Sequence, residues 1–218
     1  MLFRSVAQEA GPEDAVLLYF SGHGVAVGDR FYLLPHDSAI SADPRQGKLP
    51  AAAVKRAASS LISDADLERE LQALNVAHAA IVLDACQSGQ ALAGAEFRGP
   101  LNRSGLARLA YEKGIYLLAA SESSQPAREL KALGQSVLTF ALVQEGLLDG
   151  RADRQALDGR IELREWLAYA TRRVPELIVE SFRKSSGKSP DQVQHPQFAP
   201  RRIAENSVLI VSVADQEP

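Results

Sequence analysis

The chain predicts an α/β sandwich built on a mainly parallel sheet. Three apolar runs carry that prediction: Ala15-Val16-Leu17-Leu18-Tyr19-Phe20, Ala79-Ala80-Ile81-Val82-Leu83 and Ile115-Tyr116-Leu117-Leu118-Ala119-Ala120. Each is short and continuous, as expected of a strand covered on both faces. Helical patterns fall between and after them, the alternation of a parallel α/β fold. Two of the runs also lead straight into a small, glycine-bearing turn with a reactive side chain. Ser21-Gly22-His23-Gly24 follows the first, and Asp84-Ala85-Cys86-Gln87-Ser88-Gly89 follows the second. Ligands bind at the carboxyl ends of parallel strands, so both side chains are delivered to the functional edge.

The elements read as follows. Residues 1–12 are the end of a helix closed by Gly11-Pro12. The run at 15–20 is a central strand. Val25-Ala26-Val27 and Phe31-Tyr32-Leu33-Leu34 flank Gly28-Asp29, the pattern of a short hairpin. From 37 to about 60 the chain is a surface loop with a helical turn around 51–58. Ser63, with Asp66 three residues on, opens a helix whose apolar stripe is Leu67, Leu71 and Leu74. Glycines and scattered arginines mark 87–113 as mostly loop. An amphipathic helix is expected at 136–148, and a second helical stretch at 161–182, where Pro175 should split it. Residues 207–213 are a last strand. No internal repeat or low-complexity segment is present.

The chain has 218 residues, of which 46% are hydrophobic, enough for a substantial core and too many for disorder. A net charge of −3 gives no reason to expect nucleic acid. No apolar run approaches the roughly 18–20 residues of a membrane span, and the start lacks the apolar core of a signal peptide. One cysteine cannot form an internal disulfide. A free thiol without a secretion signal points to the reducing cytoplasm.

A thiol and an imidazole on neighbouring strand ends face each other as a cysteine–histidine nucleophile requires. Taken alone, Cys86 equally fits a buried core thiol. Asp84 lies two residues before Cys86, and strand positions i and i+2 share a face. It either lines the same cleft, where a carboxylate suits Arg or Lys, or caps a turn. Trp166 and Tyr169 read as core. Other chemistries fail on spacing. Leu92 stands where a cysteine phosphatase needs arginine, no zinc-ligand spacing is found, and no glycine-rich phosphate loop opens a helix.

Tyr19-Phe20-Ser21-Gly22-His23-Gly24 and Leu83-Asp84-Ala85-Cys86-Gln87-Ser88-Gly89 resemble the two catalytic signatures of the caspase-like cysteine peptidases, in particular their bacterial metacaspase-like branch. Further segments agree in order: Phe31-Tyr32-Leu33-Leu34-Pro35-His36-Asp37, Ala119-Ala120-Ser121-Glu122 with Ala127-Arg128-Glu129, Thr139-Phe140-Ala141-Leu142, Asp158-Gly159-Arg160-Ile161, and Gln194-His195-Pro196-Gln197. The resemblance spans about residues 12–213. It implies a single three-layer caspase-like sandwich, residues 1–218, with a p20-like part at about 1–95, a linker at about 96–113 and a p10-like part at about 114–218.

It also implies roles. Cys86 is the nucleophile and His23 its acid–base partner, with the oxyanion held by the N–H groups of Gly24 and Cys86. Ser21, Asp84, Ser121 and Glu129 line the substrate pocket, which favours cleavage of proteins and peptides after Arg or Lys. Gly24 would let the backbone approach the substrate. Linker cleavage by the enzyme itself is a family habit, and Arg98, Arg103 and Arg108 stand in this linker. No cofactor is expected. Calcium activation is the lesser alternative, since Gln90-Ala91-Leu92-Ala93 replaces the acids found after the cysteine and Asp64 and Asp66 match the remaining acids only in part. The family's opening strand, helix and second strand have no counterpart here, so the strand at 15–20 is expected to present an exposed edge. That departure motivates the alternative function: a catalytically inactive or assembly-dependent caspase-like interaction module.

Overall fold

The computed structural model describes residues 2–27, 30–40, 51–87, 104–120, 129–130, 133–155, 157–199 and 209–212. A six-stranded sheet runs, from one side to the other, through Ile62–Ser63, Arg30–Leu34, Ala15–Val27, His78–Gln87, Tyr116–Ala119 and Gln197–Ala199. Its centre is parallel: β1 (Ala15–Val27) pairs with β4 (His78–Gln87), and β4 with β5 (Tyr116–Ala119). Its margins are antiparallel. There β2 (Arg30–Leu34) returns beside the end of β1, β3 (Ile62–Ser63) follows β2, and β9 (Gln197–Ala199) lies beside β5. The hairpin expected around Gly28-Asp29 is present, with Val27 paired to Arg30.

Helices cover both faces. On one, Ile81, Leu83, Ala85 and Leu117 pack with Leu67 and Leu71 of α3 (Asp64–Ala73) and with Leu109 and Ala110 of α4 (Ser104–Lys113). On the other, Ala80, Val82, Tyr116 and Leu118 meet α5 (Val137–Thr139), the π-helix that continues it (Phe140–Leu148), and α6 (Leu163–Ser186). Burying Leu117 and Leu118 completely, one toward each layer, stabilises the sandwich by about 1.5–3 kcal/mol per side chain. Helix α3 starts as its sequence dictates. Ser63 Oγ accepts from Asp66 N–H at 3.1 Å, and Asp66 Oδ2 accepts from Ser63 N–H at 3.0 Å.

Three expectations need correction. The first concerns 15–20, which is not covered on both faces. Ala15, Leu17 and Tyr19 are exposed, and Val16, Leu18 and Phe20 are half-buried. Strand β2 pairs only with His23–Val27, so among the described residues the outer backbone edge of 15–22 has no neighbour. The edge expected from the departure in the resemblance is therefore present.

The second concerns 104–113, which is helical rather than loop. Leu106, Leu109 and Ala110 have helical spacing, Arg108 pairs with Glu112 one turn on at 2.6 Å, and Lys113 Nζ donates to the terminal carbonyls of Leu71 and Leu74 at 3.3 and 3.0 Å. The third concerns Pro175, which does not split its helix. Helix α6 runs unbroken to Gly187, whose φ of 67° closes it in the left-handed form that glycine tolerates. Proline removes one backbone hydrogen bond. Trp166, Leu167, Ala170, Val174, Leu177 and Ile178 bury both halves of the helix on one core, which outweighs that loss.

Behind this core sits a buried carboxylate, Glu145, bonded to Arg173 Nε at 2.7 Å, Arg151 at 3.1 Å and the Tyr169 hydroxyl at 3.0 Å. Burial, reinforced by the Glu145 carboxylate, pushes the Tyr169 phenol up to about 12. A tyrosine in the unfolded chain loses its proton near 10, about two units lower. Across that window the folded state keeps a proton the unfolded state has lost, so stability falls as pH rises. Denaturant titrations at a series of pH values should show unfolding free energy declining between about 10 and about 12. Tyr169→Phe should flatten the decline, and parallel curves for the two proteins would refute the assignment.

Candidate active site

The two signature segments occupy adjacent strands of one parallel ladder. Its register runs Ser21↔Asp84, Gly22↔Ala85, His23↔Cys86 and Gly24↔Gln87. Neighbouring strands lie about 4.8 Å apart, so the backbones of His23 and Cys86 are a single ladder step from each other. Neither residue sits in a turn, contrary to expectation. Strand β1 continues through Ser21-Gly22-His23-Gly24 because β2 takes up its outer hydrogen bonds from His23 onward, and β4 extends to Gln87. His23 and Ser21 are exposed. For Cys86 the backbone position alone is described.

Asp84 is 4% exposed, and its surroundings are unusual. Ser136 Oγ and Thr139 Oγ1 both bond Oδ2, the latter at 2.6 Å, and Tyr19 Oη approaches the same oxygen at 3.3 Å. Tyr19 Oη also contacts Thr139 Oγ1 at 2.5 Å. A hydroxyl has one proton. Thr139 gives its proton to Asp84, so Tyr19 is the donor to Thr139. The Tyr19 phenol is held well above its ordinary range, chiefly by burial and further by the Asp84 carboxylate. Among the described residues no Lys, Arg or His pairs with Asp84, and no hydrogen bond reaches Oδ1. A carboxylate so deeply buried is costly unless a cation completes it.

The sequence matches a family model, the caspase domain, over residues 1–206. The chain belongs to the caspase domain family. No curated protein matches it. Among solved structures it is similar to a crystal structure of protein GSU0716 from Geobacter sulfurreducens, at 15% identity and a TM-score of 0.49, over 90% of this chain and 69% of that one.

In this caspase domain the remaining residues expected from the sequence to line a pocket divide. Glu129 lies in β6 (Glu129–Leu130), whose backbone pairs with β7 (Gln135–Ser136); the register Glu129↔Ser136 puts position 129 beside the residue that holds Asp84. Ser121 lies outside the described residues. Sequence reading gave Tyr19, Ser136, Thr139 and Gln194 no role at the site. Ser136 caps α5 by accepting from Thr139 N–H at 2.9 Å, and the Ser-x-x-Thr spacing was the available signal. Buried Gln194 donates to the carbonyl of Ala120 at 2.7 Å and anchors the end of β5. Among the described residues no group of three His, Cys, Asp or Glu side chains could hold a metal. No helix among them is long and apolar enough to cross a membrane. An open groove farther along α6, lined by Arg151, Arg154, Tyr169 and Arg173, shares no residue with this site.

Gly24 has a packing reason that the sequence did not reveal. A Cβ at this position would lie 2.6 Å from Phe31 Cζ and 2.9 Å from Cε2, with Ala85 Cβ at 3.4 Å. The hydrogen of Gly24 therefore points into the core, where the Phe31 ring fills the space. Overpacking of this kind typically costs about 1–3 kcal/mol. Gly24→Ala should destabilise the domain by that order in chemical denaturation, and the penalty should shrink in a Phe31→Leu background. Additive effects of the two substitutions would show that the ring is not the obstacle.

Proposed function

We propose that this caspase domain is a cysteine endopeptidase of the metacaspase-like kind, cutting proteins and peptides after Arg or Lys. The observation that carries the reading is Asp84: a buried carboxylate, without a described cation, two residues from Cys86 on the same strand. A guanidinium or ammonium from the residue before the scissile bond supplies the missing charge. Ser21, paired in register with Asp84, stands beside it at the exposed side of the cleft.

Cys86 attacks as thiolate, forming a C–S bond to the scissile carbonyl carbon as the carbonyl π pair moves onto oxygen. The N–H groups of Gly24 and Cys86 are the proposed donors to that oxyanion. Collapse breaks the C–N bond, and the His23 imidazolium gives its proton to the leaving amine. Neutral His23 then takes a proton from water, whose oxygen attacks the thioester. The thiolate leaves, and the acid product departs. The reaction needs no metal or organic cofactor, and it suits a protein working in a reducing compartment, where the thiol persists.

The outer edge of 15–22, which no described residue pairs, favours a second reading, a module whose sheet is completed, and whose site is switched on, by another strand. A peptidyl-Arg chloromethylketone separates the two. The thiolate displaces chloride, so labelling of Cys86 in the folded protein supports the peptidase, and a folded protein that takes up no label supports the module.

Asp84→Asn should lower kcat/KM for Arg and Lys peptides by about 10²-fold or more, the cost of losing a charge-assisted contact. Unchanged turnover would remove Asp84 from the pocket. Purified protein should also cut itself after Arg98 or Arg103 and not after Arg108, whose backbone is locked in α4. Mass spectrometry of wild type against Cys86→Ala reads this directly. Fragments that persist in Cys86→Ala would point to a contaminating protease.

A further inference from the structure

The hydroxyls around Asp84 form a directed chain. Thr139 N–H donates to Ser136 Oγ, Ser136 donates to Asp84 Oδ2, Thr139 Oγ1 donates to the same oxygen, and Tyr19 donates to Thr139. Each carboxylate oxygen has two lone-pair sites. Ser136 and Thr139 fill both sites on Oδ2, and Oδ1 receives no bond from a described residue. A guanidinium gains its advantage over an ammonium by forking onto both carboxylate oxygens. Here one of the two is already taken.

We propose that Thr139 and Ser136, backed by Tyr19, are positioning residues that clamp Asp84 by Oδ2, so that the substrate cation is read through Oδ1 alone. The inference rests on the peptidase reading above and deepens it. Its consequence is a specificity: the fork of Arg brings little benefit, and Lys is accepted nearly as well. The clamp joins four elements, since Tyr19 lies on β1, Asp84 on β4, Ser136 on β7, where it caps α5, and Thr139 on α5. It therefore sets the carboxylate's angle as well as its occupancy, and the chain of donors strengthens each bond within it.

The test compares matched fluorogenic peptides with Arg or Lys before the scissile bond. Wild type should use the two within about tenfold in kcat/KM, the worth of one ordinary interaction. Thr139→Val keeps the side-chain shape and the backbone cap but removes the donor and frees a lone pair on Oδ2. It should raise KM for Lys by about tenfold or more, raise KM for Arg clearly less, and change kcat little. Thr139→Ser should restore the wild-type ratio, which repair of packing alone would not do. Should Thr139→Val fail to fold, Tyr19→Phe on the exposed strand edge should move the ratio the same way by a smaller amount. An Arg-to-Lys ratio that stays at the wild-type value in these variants, or a wild type preferring Arg by more than about tenfold, overturns the proposal while leaving the peptidase intact. A wild type that cleaves neither peptide but reacts with a peptidyl-Asp probe overturns the pocket reading and the clamp with it.

Discussion

The parallel ladder between β1 and β4 is the constraint on which the site depends. Its register runs without slippage from Ala15↔His78 to Gly24↔Gln87. In a strand the side-chain period is two, so a slip of one residue would send every side chain of β1 to the opposite layer. Positions 23 and 86, and 21 and 84, would then no longer pair in register. What prevents the slip is the two-sided burial of β4, where Ile81 and Leu83 fill one core and Ala80 and Val82 the other. The pairing of the two signature segments is thus held in place by packing several residues away from it.

The ends of the two strands are then finished by different means. Strand β1 acquires a second neighbour at His23, where β2 begins to pair, and the Phe31 ring rises under Gly24 to close the floor. Strand β4 is tied at Asp84 to Ser136, which caps α5, and to Thr139, which ends it. Position 129 is in turn tied to Ser136 by the β6–β7 pair. Side chains from β1, β7 and α5 are therefore joined to β4 through one carboxylate. Buried polar networks of this sort are rigid when fully satisfied and costly when they are not, and among the described residues no hydrogen bond reaches Oδ1.

Among the described residues, none pairs with the outer edge of 15–22. It carries Leu17, 49% exposed, and Tyr19, 36% exposed, with no charged residue between Ala15 and Gly22. Natural edges are usually blunted by lysine, proline or a bulge, and this one is not. Because Tyr19 belongs to that edge and to the Asp84 clamp, whatever pairs with the edge also bears on the pocket.

Much of the fold was legible in the residues themselves. The apolar runs located β1, β4 and β5, the Ser63–Asp66 box located α3, and Gly28-Asp29 located the hairpin, because each is decided by local periodicity or by a side chain bonding its own backbone. The two signature segments pointed to the caspase domain for the same reason: they are contiguous strings. Tertiary context decided the rest. Pro175 stays inside α6 because a core on one side outweighs a lost hydrogen bond, and α4 forms because α3 and the sheet bury its stripe. Gly24 answers to Phe31, seven residues away. Asp84 answers to Tyr19, Ser136 and Thr139, the nearest of them 52 residues along the chain. Local rules reach only a few residues, and a buried charge is satisfied by whatever the fold brings to it.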